Sequence, residues 1–176
     1  MKTLYVVVAG LLTALLLFSP ASALQYDLSQ EYSGGTNPIG TTPWLTAVFE
    51  NYRSDSVKLT MWANGLADGA QKIVQWNFNF IGSMDPTKLG FQWLDEADPR
   101  YSYVQALAIK TGVNTLSADG SHGYDIQFDF GTKSSDDLHL FSPGEKSVYI
   151  ITLPGSVLDA SYFNDVNDPG SQGGHG

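Results

Sequence analysis

Apolar side chains after residue 23 recur at every second position, and a helical spacing competes with that alternation in one segment only. Period two is the signature of a half-buried strand, because successive side chains point to opposite faces of a sheet. In Gln75-Trp76-Asn77-Phe78-Asn79-Phe80 the aromatics fall on one face and the polar groups on the other. Tyr124, Ile126, Phe128 and Phe130 repeat the pattern, with Asp125, Gln127 and Asp129 opposite, where alternating carboxylates would keep a sheet surface soluble. Val57, Leu59 and Met61, then Leu89, Phe91 and Trp93, are shorter instances, and residues 148–153 form a β-branched run. Around residues 44–50, Leu45, Ala47 and Phe49 alternate with Thr46, Val48 and Glu50, which predicts a strand partly covered on both sides. Turn signals separate these runs: Asn64-Gly65, Asp85-Pro86, Asp98-Pro99, Asp119-Gly120 and Pro143-Gly144. The expected fold is all-β, an antiparallel sandwich or jelly-roll-like single domain with no internal repeat. Its core should hold Leu45, Phe49, Leu59, Trp76, Phe78, Phe80, Phe91, Trp93, Ile126, Phe128 and Ile151. Residues 101–110 are ambiguous, since Val104, Leu107 and Ala108 could also line a helical face. Residues 156–163 read as a short helix or a last edge strand.

Ahead of this domain, residues 1–23 read as a cleavable secretory signal. Lys2 supplies a positive start, residues 4–18 are nearly all apolar, and Pro20 precedes Ala21-Ser22-Ala23, the small-x-small pattern that signal peptidases accept. Cleavage after Ala23 makes Leu24 the first mature residue, and no second hydrophobic stretch follows that could span a membrane. The chain has 9 basic and 18 acidic residues, a net charge of -9. Nucleic acid is thereby excluded as a partner, because its binding depends on Lys and Arg neutralising phosphates. Cysteine is absent, so there is no disulfide framework, thiolate metal site or cysteine nucleophile. The fold must stand on its core, for which 43% apolar and 12% aromatic residues supply the material. Residues 24–163 form the expected domain, and residues 164–176, rich in Gly, Asp and Asn, a loop or tail too polar to pack by itself.

Several phrases occur together in order: Tyr32-Ser33-Gly34-Gly35-Thr36, Gly40-Thr41-Thr42-Pro43-Trp44-Leu45, Trp76-Asn77-Phe78-Asn79, Met84-Asp85-Pro86-Thr87-Lys88-Leu89, Gly144-Glu145-Lys146-Ser147-Val148 and Ala160-Ser161-Tyr162-Phe163-Asn164. Across most of the domain this resembles bacterial secreted proteins that carry a PEP-CTERM sorting tail and are handled by an exosortase. The resemblance implies an exported β-sandwich of a Gram-negative bacterium, associated with extracellular polysaccharide and without an established catalytic role. Pro-Glu-Pro, a terminal apolar helix and a final basic cluster are not present. The expectation is accordingly a truncated version of a longer, sorted protein rather than one secreted free.

Neutral sugars stack on aromatic faces and bond to Asp, Asn and Gln, so a glycan site is the first candidate chemistry. Trp62, Tyr52, Tyr101 and Tyr103 fall near strand ends or in loops and form the candidate platform. Calcium is the one cofactor the acidic loops leave open, through Asp165, Asn167 and Asp168 as one cluster and Asp95, Glu96 and Asp98 as another. Neither group has the spacing of an EF-hand, and solvated loops account for both. His122, His139 and His175 share no metal-binding spacing. No Gly-x-Ser-x-Gly elbow is present, and a glycosidase would need two facing carboxyl groups that a sequence cannot nominate. No catalytic residue is assigned. The leading expectation is a secreted, non-enzymatic surface or matrix protein acting by self-association or by adhesion to exopolysaccharide. A carbohydrate-binding module is the alternative, and a hydrolase of extracellular glycans comes third.

Overall fold

A computed structural model describes residues 23–31, 36–118 and 121–165. The expected secretory signal, apart from Ala23, lies outside the described residues, as do residues 166–176 of the expected tail. The chain is all-β. Its strands are β1 (Ala23–Leu28), β2 (Leu45–Arg53), β3 (Ser56–Trp62), β4 (Gln75–Phe78), β5 (Gly90–Trp93), β6 (Ala108–Ala118), β7 (Ser121–Asp129) and β8 (Lys146–Thr152). They form a five-stranded sheet in the order β1-β2-β3-β8-β5 and a three-stranded sheet in the order β4-β7-β6, with every ladder antiparallel. Five strands and three, rather than two sheets of four as in a regular jelly roll, make up the described sandwich. No helix among the described residues is long and apolar enough to cross a membrane.

The alternating runs fold as their periodicity predicts. Leu59 lies opposite Tyr149 and Val57 opposite Ile151 on the inner face of the β3–β8 ladder, and all four are buried. Trp76 pairs with Phe128, and Phe78 with Ile126, on the inner face of the other sheet. The two faces meet through aromatic rings. Phe49 of β2 meets Phe78 of β4 edge-on at 5.1 Å, and Phe128 of β7 meets Phe91 of β5 at 5.5 Å and Tyr149 of β8 at 5.0 Å. Such pairs add about 0.5–1.5 kcal/mol each beyond their burial. All eleven expected core residues belong to this cluster, with Leu45, Trp76, Phe91 and Trp93 only partly buried at its margin.

Two segments seal the sides of the sandwich. Residues 156–163 end in a 3₁₀ turn, Ala160–Phe163, that stacks Phe163 on Phe49 at 4.4 Å. The Tyr26 hydroxyl donates to Phe163 O at 2.6 Å, and Ile81 N donates to Tyr162 O at 2.8 Å. On the other side, the ambiguous residues 101–110 are extended. Val104 and Ala106 are buried there, and Ala106 N donates to the Tyr149 hydroxyl at 2.7 Å. Ala108 then opens β6. The helical alternative fails because this backbone finds its partners on β8 and β7 rather than within itself.

One expectation needs correction. Asp125 is 5% exposed and Gln127 6%, so the polar face of β7 is not an ordinary solvated surface. Phe80 N donates to Asp125 Oδ2 at 2.9 Å, and Asn114 N to Oδ1 at 2.8 Å. The carboxylate therefore fastens both neighbouring segments to the middle strand of the sheet. Asp129 takes bonds from Gln75, Gln127 and Lys110 at 3.3, 2.6 and 2.7 Å. Burial works to raise its pKa, but those donors outweigh it and hold the carboxyl below the usual value.

Candidate ligand-binding site

Three of the four predicted platform residues meet at one end of the five-stranded sheet. Trp62 closes β3 and pairs with Lys146, the first residue of β8. Residues 102–104 run beside Lys146 on its other flank: Lys146 N donates to Ser102 O at 3.0 Å, Val104 N to Lys146 O at 2.8 Å, and Tyr103 forms a parallel bridge with Lys146. This brings the Tyr101 ring edge-on to Trp62, with centroids 5.5 Å apart. The Lys146 ammonium lies over both rings, 3.6 Å from the Tyr101 centroid and 4.6 Å from that of Trp62. Cation–π attraction of this kind contributes about 0.5–2 kcal/mol.

A tight turn presents Tyr101. Asp98 accepts from Arg100 N at 3.0 Å and grips the guanidinium at 2.7–3.2 Å, while Tyr101 N donates to Asp98 O at 3.0 Å. The Arg100 side-chain bond lowers the Asp98 pKa to about 2, and the same bond raises that of Arg100. Desolvation pulls the Lys146 ammonium below its ordinary value, against the charges of Glu96 and Asp98. Burial pushes the Tyr103 phenol up, helped by the acidic residues of the same loop. Lys58 reaches Glu96 at 3.3 Å. Lys58 also reaches Glu50 at 3.6 Å, and Asp98 pairs with Arg100, so the aromatic surface is bordered by charges of both signs.

Tyr52 is not part of this cluster. It lies half-exposed beside the β2–β3 turn, under the Arg53 guanidinium at 5.3 Å from its ring centroid. The length of β3, about 20 Å, separates that turn from Trp62. Lys146 and Arg100 are the members that sequence reasoning missed. Only the strand register puts Lys146 opposite Trp62, whereas Arg100 was within reach beside Asp98 and Tyr101.

The calcium candidates fall only partly within the described residues. Asp165 accepts from Gly82 N at 3.0 Å, and Asn167 and Asp168 lie outside the described residues. In the other loop, Asp95 accepts from Ala97 N, Glu96 pairs with Lys58, and Asp98 holds Arg100. Among the described residues no three His, Cys, Asp or Glu side chains stand together as a metal site. His139 Nδ1 is 2.8 Å from Gln105 O, which ties it to the backbone of the side-sealing segment. Comparison with family models, curated proteins and solved structures finds no match.

Proposed function

We propose that this chain is a secreted, non-enzymatic protein of a Gram-negative bacterial surface or extracellular matrix, akin to the exosortase-sorted PEP-CTERM proteins, and that it adheres to extracellular polysaccharide through the Trp62–Tyr101–Lys146 end. The observation that carries the reading is the meeting of these side chains from β3, β8 and the loop before β6 on one surface. Partly exposed rings offer stacking area for a pyranose, and the neighbouring Asp, Glu, Arg and Lys groups can bond its hydroxyls. The reading needs neither metal nor cofactor. The same cluster serves the alternative, a carbohydrate-binding module, in which sugar recognition is the whole task rather than one part of matrix assembly.

A glycan array covering neutral and acidic polysaccharides tests the site. Binding should favour neutral chains and fall at least tenfold in Trp62→Ala and Tyr101→Ala, with Tyr52→Ala unchanged. No binding across the array, or equal loss in Tyr52→Ala, rejects the site. Turnover of any polysaccharide in the same panel would support the glycan-hydrolase reading instead. Amino-terminal sequencing of the exported protein should begin at Leu24.

A further inference from the structure

We infer that the free edge of β1 is a self-association surface, through which two copies of this chain pair antiparallel about a two-fold axis at Tyr26. An edge strand presents unpaired backbone N–H and C=O groups that can bond another chain. Short length, bulges, charge or a covering segment normally blunt such edges. In this sandwich three of the four edges are blunted. Strands β4 and β5 have four residues each. Strand β6 changes register between Thr111 and Leu116, carries Lys110, and packs on the 3₁₀ turn Pro86–Lys88. β1 differs in length and regularity, although it too packs on a 3₁₀ turn, Ala160–Phe163, and carries one charge, Asp27. Residues 24–28 of it remain after the expected cleavage at Ala23; it pairs with β2 without a register break, holds no Pro, Lys or Arg, and has no strand on its outer side among the described residues.

Its side-chain pattern is complementary to a second copy of itself. Leu24, Tyr26 and Leu28 lie opposite Phe49, Ala47 and Leu45, so they continue the core face beyond β2. Tyr26 and Leu28 remain 36% and 41% exposed there. Pairing about Tyr26 sets Leu24 against the partner's Leu28, and Tyr26 against the partner's Tyr26. The apolar margin of each copy then meets that of the other, and the two five-stranded sheets run on as one. On the opposite face, Gln25 meets the partner's Asp27. These groups already match within one strand, where Gln25 Nε2 donates to Asp27 Oδ1 and Oδ2 at 3.1 and 3.0 Å. Asp27 is the only charged side chain of β1, and this register keeps the two copies of it apart. The pairing uses residues 24–28 alone. It is an isologous contact and closes at two copies. The inference does not depend on the sugar-binding reading, since the Trp62 cluster lies on other elements.

The test is light scattering on the exported protein during size-exclusion chromatography over a wide concentration range, with amide exchange followed at residues 24–28. A monomer–dimer equilibrium is expected, with slower exchange at those residues as the dimer fills. Gln25→Glu sets a second carboxylate against the partner's Asp27 twice per dimer and should weaken association about tenfold. Gln25→Lys makes two ion pairs at the same places and should strengthen it, an effect that added salt removes. Gln25 is exposed, so circular dichroism should show both variants folded. A monomer at all concentrations overturns the inference, as does a dimer indifferent to both charges or one that leaves exchange at residues 24–28 unchanged.

Discussion

Strands β1 and β6 each form an edge of one sheet, and they manage exposure in opposite ways. β1 is straight and keeps a continuous ladder with β2. β6 is nearly twice as long but broken. Its register with β7 slips between Thr111 and Leu116, and Asn114 takes a positive φ of 52° inside the break. A Cβ at Gly112 would require the Thr115 hydroxyl to move. The break turns Asn114 N toward Asp125, whose buried carboxylate holds it. An irregular edge resists templating a new strand, at the cost of a backbone that must be anchored from within. A regular edge needs no anchor and stays open to pairing.

Removing the anchor should give the largest effect. Asp125→Ala leaves the amides of Phe80 and Asn114 without their acceptor and should destabilise the fold by about 3 kcal/mol in urea denaturation. Exchange should rise first in residues 108–118, while the β1–β2 ladder keeps its protection. Equal loosening of both edges would show that Asp125 supports the core generally rather than the break in β6.

A smaller effect, dependent on pH, should come from Asp129, which ties Lys110 of β6 to the middle strand. Its folded pKa is depressed, so its stabilisation is complete above the unfolded value of about 4 and disappears as pH falls through the lower folded value. Lys110 is more than half exposed, which limits the pair to less than about 1 kcal/mol. Lys110→Ala should therefore lower stability by less than about 1 kcal/mol at neutral pH and change little in acid, which flattens the acid limb of a stability–pH curve. The smallest expected effect is that of Asn114→Gly, which relieves the positive φ for a gain of up to about 0.5 kcal/mol, measured as a slightly raised urea midpoint.

The same contrast explains what was legible in the sequence. Strands β3, β4 and β7 keep one phase of alternation, and their core residues follow from it, whereas β8, buried on both faces over residues 147–151, is legible as a β-branched run. β1 keeps its phase as well, through Leu24, Tyr26 and Leu28, yet it adjoins the expected leader and was not read as a strand. β6 was not readable, because the break between Thr111 and Leu116 shifts the phase midway and leaves Val113 exposed. Asp125 was misjudged for a related reason: alternation says which face a side chain takes but not whether a neighbouring backbone folds over that face. At the candidate site, Trp62, Tyr101 and Tyr103 were placed correctly near a strand end and in a loop. Their meeting with Lys146, and their separation from Tyr52, depend on cross-strand register, which no local pattern encodes.

β8 has a consequence for when the molecule can fold. It stands between β3 and β5, bonded to both, although it follows both by more than fifty residues and is the last strand in sequence among the described residues. Until it arrives, β3 has a neighbour on one side only and β5 has none in its sheet. A chain made or threaded from its amino end therefore cannot complete the larger sheet early. Its contacts are distant in sequence, so their loop-closure entropy is overcome only near the end. The larger sheet stays open and easily unravelled for most of the chain's emergence, and then closes around β8.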